Sequence, residues 1–209
     1  MKKSIPISII VLLLIACGES PKKSAQEQKE NTDNTTQKKE ESGKPLPSGD
    51  YSSLLIDYQC DITATELANV FNIPEADVSV TEYQRPGRCG FNIKGFGKNS
   101  LGDNTIIAWF LENPGKAQVK KEIQSYLKDQ ANNESVLGMG IELSETGDSY
   151  IVKIPHSGRI VIMNENYDSW LFFNYSQKGI YKSRTEEQHA ALTKKTIVLA
   201  NYLLKKHKR

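Results

Sequence analysis

Three cysteines, three histidines and two tryptophans are the residues of this 209-residue chain whose chemistry is specific enough to suggest a site. A zinc site needs ligands at short, regular spacing. His156, His189 and His207 are far apart, none is four residues from another histidine and none is beside a cysteine, so no metal is expected. His156 and Ser157 are adjacent, and a serine nucleophile does need a base to take its proton. Neighbouring side chains in a tight hairpin point apart, however, and the pair is not read as a catalytic one. Gly95-Phe96-Gly97 and Gly138-Met139-Gly140 lack the third glycine or lysine, and the strand-to-helix setting, of a phosphate loop, so both read as turns. Glu186 and Glu187 read as helix-start residues, where the positive end of the helix dipole favours acids. No catalytic residue and no cofactor is indicated.

The remaining reactive group is a thiol. Lys2 and Lys3 precede an apolar stretch over residues 5–15 that only Pro6 and Ser8 interrupt, followed at once by Cys17, Gly18, Glu19 and Ser20. This is the pattern of a signal peptide. A permanent membrane span needs about 20 apolar residues, and the run is too short for one. Residues 14–17, Leu-Ile-Ala-Cys, resemble the lipobox of bacterial lipoproteins. The resemblance implies cleavage after residue 16 and acylation of Cys17, with two or three acyl chains holding the protein to a membrane of the cell envelope. Gly18, rather than aspartate, follows the cysteine, which favours the outer membrane in a cell that has two.

Composition divides the rest of the chain. Over residues 17–49 only Ala25 and Leu46 are apolar beyond the cysteine itself, the others being Lys, Glu, Gln, Ser, Thr, Asn, Asp, Gly and Pro. Such a segment buries too little surface to offset its ordering entropy. It reads as a disordered tether spanning roughly 30 Å on average and on the order of 100 Å when stretched. Residues 50–209 then form a single globular domain, long enough for a substantial core. Lys2 and Lys3 account for the whole formal charge of +2, so the part beyond the signal segment is neutral. Nucleic acid is thereby disfavoured as a partner, since its binding requires a basic surface. Lys205, Lys206, Lys208 and Arg209 read as cations at the C-terminal end of a helix.

With Cys17 used by the lipid and the compartment oxidising, Cys60 and Cys89 remain as a pair. A disulfide between them closes a loop of about 30 residues and should contribute roughly 3 to 4 kcal/mol. The rival reading, a redox or metal pair, has neither Cys-x-x-Cys spacing nor a nearby histidine to support it.

Periodicity supplies the secondary structure around these residues. Thr63 and Glu66 form a capping box, Leu67, Val70 and Phe71 share a helical face, and Pro74 ends that short helix. Residues 78–83, 90–94 and 105–111 read as strands, the last wholly apolar. Asn113 and Pro114 open a second helix with Val119, Ile123, Tyr126 and Leu127 toward the core. Strands over 141–144, 150–154, 159–163 and 169–175 make an antiparallel meander. Ser183 and Glu186 open the last helix, with Leu192, Leu199 and Leu203 on its buried side. The fold class is therefore α+β, an antiparallel sheet with a meander, packed against two longer helices and one short helix.

Cys60, residues 63–68, residues 89–93, Gly138 to Gly140 and residues 191–204 together resemble bacterial lipoprotein domains of unknown function, some of them similar to the PsbP-like α+β layout. That resemblance implies a fold and a compartment; it departs at Ile141, where an acidic residue is expected. The function that remains is a membrane-anchored, non-catalytic binding module whose ligand is a hydrophobic molecule or an envelope protein. The alternatives are a hydrolase with a site built from dispersed residues and a purely structural assembly factor. Strands 105–111 and 169–175 are apolar on both faces, and one gap in helix cover would leave a groove. Trp109 and Trp170 are the expected lining of that ligand or partner groove, with two ordinary core tryptophans as the alternative.

Overall fold

In the computed structural model, residues 48–98, 102–134, 137–176 and 183–209 are described. The signal segment 1–16, Cys17 and almost all of the tether lie outside them. The domain begins with a small helix that periodicity does not show, α1 (Ser52–Leu55), and then α2 (Ala64–Phe71). A three-stranded meander comes next, β1 (Val78–Val80), β2 (Arg88–Ile93) and β3 (Thr105–Glu112). Helix α3 (Lys116–Ala131) leads to a four-stranded meander, β4 (Gly140–Leu143), β5 (Tyr150–Ile154), β6 (Arg159–Met163) and β7 (Trp170–Asn174), and the chain closes with α4 (Glu186–His207). All seven strands form one antiparallel sheet in the order β1-β2-β3-β7-β6-β5-β4. The two meanders are joined where β7 returns beside β3, pairing Phe172 with Phe110 and Trp170 with Glu112.

Local chemistry explains where the helices begin and end. Thr63 accepts from Glu66 N and Glu66 returns a bond to Thr63 N, the reciprocal capping that stabilises a helix start by about 1 kcal/mol. Asn72 takes the left-handed conformation (φ 50°) that ends α2 before Pro74. Helix α3 starts two residues later than Pro114, at Lys116, because the Asn113 side chain accepts from Gly115 N at 3.1 Å and turns the chain there. Helix α4 is capped by Thr185 and Gln188 rather than by Ser183 and Glu186. Both pairs match the same Ser/Thr-x-x-Glu/Gln pattern, two residues apart, and spacing alone does not choose between them. Ser183 instead accepts a 2.5 Å bond from Lys98 N.

The sheet has a core on each face. Against the first face, α1, α2 and α4 bury Leu54, Leu67, Phe71, Leu192, Leu199 and Leu203 over Phe91, Ile107, Trp109, Ile151, Ile160, Ile162, Leu171 and Phe173. Against the second, Val119 and Ile123 of α3 cover Ile141, Val152, Val161 and Met163, with Tyr126, Trp170 and Phe172 partly buried at the margin. The two long helices thus lie on opposite faces. Leu127, expected in the stripe of α3, is exposed, since one narrow row of contacts is all that this helix makes. Among the described residues α3 reaches only the β4–β7 half of the second face; no described helix covers the β1–β3 half.

Cys60 and Cys89 form a disulfide with Cα atoms 5.2 Å apart, across a sequence separation of 29. It fastens the segment between α1 and α2 to β2. Among the described residues no helix is long and apolar enough to cross a membrane.

Candidate functional site

Strand alternation separates the two tryptophans. Trp109 shares its side of β3 with Ile107 and points into the larger core with no accessible surface. Its ring stacks between Phe91 and Phe173 at centroid distances of 5.6 and 5.8 Å, and its Nε1 donates to Tyr58 Oη at 2.7 Å. Trp170 lies on the opposite face, half-buried, donating through Nε1 to Glu112 Oε2 at 2.8 Å. The structure does not bring them together in one groove. Alternation places each on a side of its own strand, but the pairing of β3 with β7, which relates those sides, is not legible in either strand alone.

What the second face does assemble is a row of four side chains across four strands. Phe110 of β3 and Phe172 of β7 are direct cross-strand partners with ring centroids 5.5 Å apart. The Arg88 guanidinium lies 5.4 Å from the Phe110 centroid, and that of Arg159 lies 5.3 Å from the Phe172 centroid. Both distances are within the range of a cation–π contact. The two arginines come from the outer neighbours of the aromatic pair, β2 and β6, so the row spans three strand spacings, about 14 Å. Neither guanidinium has a carboxylate partner among the described residues, and Arg88 Nε is buried without an acceptor. Beside the row, Gly90 leaves room for Thr81, whose buried Oγ1 also lacks a partner. Aromatic faces flanked by unpaired guanidinium groups can hold a planar or apolar body while pairing an acidic group. Sequence reasoning missed Arg88, Phe110, Phe172 and Arg159 as a set because they are scattered between positions 88 and 172 and meet only through strand order.

A second cluster forms where α1 meets the end of α4. His207, the last residue of α4, is nearly buried, and its Nδ1 lies 3.1 Å from Ser53 Oγ. Its Nε2 is 3.4 Å from Asp61 Oδ2, inside ion-pair range although not aligned as a hydrogen bond. Tyr58 meets the imidazole edge-on with centroids 5.9 Å apart. Burial lowers the His207 pKa below its ordinary value; Lys206 and Arg209 act in the same direction and Asp61 opposes them. The ring is therefore neutral at neutral pH. Ser53, Asp61 and His207 line an open depression of about 330 Å³ together with Lys206 and Arg209. Lys206 is held by Glu66 at 2.9 Å and Asp61 at 3.4 Å.

The other candidate residues lie elsewhere. His156 is exposed in the short turn Pro155–Ser157, and Ser157 Oγ donates to the Ile154 carbonyl at 3.2 Å rather than to a histidine. His189 is buried, its Nε2 2.7 Å from the Pro155 carbonyl. Gly97 takes φ +106° in a turn packed on Arg184, and Gly138 takes φ +73°. Among the described residues no group of three or more His, Cys, Asp or Glu side chains could hold a metal ion. No family model matches the chain, and neither a curated protein nor a solved structure matches it.

Proposed function

We propose that this protein is a membrane-anchored envelope lipoprotein that binds, without chemical conversion, a ligand combining an acidic group with a planar or apolar body, on the sheet face opposite α4, where the cover given by α3 ends. The observation that carries the reading is the row Arg88, Phe110, Phe172 and Arg159, two guanidinium groups laid on adjoining rings with no carboxylate partner among the described residues. A surface of two aromatic rings gains from covering them, and an arginine without a carboxylate gains more from an anion than from water. The anchor rests on the resemblance of residues 14–17 to a lipobox and on Cys17, and the disulfide between Cys60 and Cys89 accords with an oxidising compartment.

Phenyl phosphate, with benzyl alcohol as the uncharged control, tests the binding face. Trp170, two residues from Phe172 on the same side of β7, supplies the fluorescence signal. Saturable quenching by phenyl phosphate alone is expected, weakened about tenfold in Arg88→Gln and again in Arg159→Gln. Equal responses to both compounds, or none, would defeat the reading. The anchor is tested separately: Cys17→Ser should incorporate no labelled fatty acid and leave the membrane fraction.

A further inference from the structure

We infer that Ser53 is an activated nucleophile, with His207 as its general base and Asp61 as the group that orients the imidazole, and that the depression around them takes short, polar carboxylic esters. The three side chains stand in the order of a serine–histidine–carboxylate triad, which is recognised by geometry and roles rather than by order in the chain, with Asp61 at ion-pair distance from the ring rather than hydrogen-bonded to it. Ser53 Oγ is 3.1 Å from one ring nitrogen and Asp61 Oδ2 is 3.4 Å from the other. The two nitrogens exchange their usual roles: Nδ1 faces the serine and Nε2 faces the carboxylate. A proton on Nε2 is favoured by Asp61, which leaves Nδ1 as the acceptor for the Ser53 hydroxyl proton. Ser53 is half-buried and opens on the depression. Its neighbour Ser52 is a built-in contrast, since Ser52 Oγ donates to Asp50 Oδ1 at 2.6 Å and has no imidazole.

In the step this geometry allows, Ser53 Oγ bonds to the ester carbonyl carbon while its proton passes to His207 Nδ1. Arg209 lines the same depression and supplies a positive charge near the developing oxyanion. Collapse breaks the bond to the leaving alkoxide, which receives the proton from Nδ1. Water, deprotonated by the same nitrogen, then releases the acid and restores Ser53. The lining is polar, with Asp57, Gln59 and Arg209 and no apolar slot, so a short acyl group fits and a long chain has nothing to bury it.

The test uses the full-length chain and p-nitrophenyl acetate, read by p-nitrophenol release and by mass spectrometry of the Ser52–Ser53 peptide. A burst stoichiometric with protein and acetyl on Ser53 are expected. Both should disappear in Ser53→Ala and fall about 100-fold or more in His207→Gln. Asp61→Asn, acting through His207, should lower the acylation rate less. The rate should rise with pH through His207 deprotonation, with a midpoint below 6.5; Asp61, Lys206 and Arg209 are the charged groups that face the ring, and Tyr58 and Ser53 the neutral ones. Acetyl on Ser52 and Ser53 alike, or a rate unchanged in denaturing urea, would overturn the inference. A His207→Gln protein acylated at the parent rate would do so too. A loss of fold in that variant would leave the Ser53-to-Ser52 ratio in the parent chain as the deciding result.

Discussion

The indole Nε1 of Trp109 donates a 2.7 Å hydrogen bond to the hydroxyl of Tyr58, and that same oxygen lies 3.2 Å from Cys89 Sγ of the disulfide. One buried hydroxyl therefore serves a strand, the segment before α2 and the covalent bridge. Burial raises the Tyr58 pKa above its ordinary value, with Asp61 and Glu66 adding to the rise and the Trp109 bond opposing it, so the group stays a neutral donor and acceptor. Tyr58→Phe leaves the indole N–H buried without an acceptor and should cost about 1–3 kcal/mol in urea unfolding. In the folded parent, acrylamide should reach Trp170 and spare Trp109; equal quenching of both would refute the placement of Trp109.

Reducing the disulfide should lower stability by roughly 3 to 4 kcal/mol, because the cross-link joins residues 29 positions apart and so restricts the unfolded chain. Urea midpoints with and without reductant measure it. Midpoints that coincide would show that the bridge contributes nothing.

Asp148 should govern the acid limb of stability. Its buried carboxylate accepts from Tyr51 Oη at 2.6 Å, Thr146 Oγ1 at 2.7 Å and Gly49 N at 3.1 Å, and pairs with Lys208 Nζ at 2.8 Å. Burial pushes the pKa up, but Lys208, Tyr51 and Thr146 outweigh it and hold the group below 3.8. A carboxyl lowered on folding stabilises the native state above its unfolded pKa, and that contribution is lost as pH falls through the folded value. Stability should therefore drop as pH falls from about 3.8 downward. Asp148→Asn should be weaker by about 2 kcal/mol at pH 7 and show a flatter acid limb. Parallel limbs for the two proteins would contradict this.

Arg184 and Gly97 should behave as one unit. The buried guanidinium of Arg184 donates to Phe96 O at 2.7 Å, Thr105 Oγ1 at 2.9 Å, Ser176 O at 3.0 Å and Tyr175 O at 3.3 Å, tying the turn after β2 to the end of β7. Arg184→Met removes four donors from this network at once, leaving Phe96 O only its 3.3 Å bond from Thr105 Oγ1, and should cost about 3–5 kcal/mol. Gly97 has φ +106°, and a Cβ there would lie 2.8 Å from Arg184 Cβ, so Gly97→Ala should cost about 1–3 kcal/mol by strain and by displacing the arginine. Because both changes break the same network, the double variant should lose less than the two single losses together in chemical denaturation. Strict additivity would argue against the coupling.

Everything legible in the chain without its fold is local. Period-2 and period-3.6 patterns locate the strands and the three longer helices, and β5 (Tyr150–Ile154) and β6 (Arg159–Met163) keep their expected limits. Thr63 and Glu66 announce their cap because the motif is complete within four residues. Cys60 and Cys89 pair by elimination, without geometry. Periodicity cannot show α1, since four residues make barely one turn and leave no second turn in which a pattern could recur. Which residues meet is a matter of packing and register. Alternation assigns Phe110 and Phe172 to sides of their own strands, but the antiparallel register of β3 on β7 makes them neighbours and sets Arg88 and Arg159 beside them. Ser53 and His207 are 154 positions apart and belong to no shared period or motif. They touch because packing of α1 against the end of α4 closes that distance, and side chains brought together by packing leave no trace in the spacing of the chain.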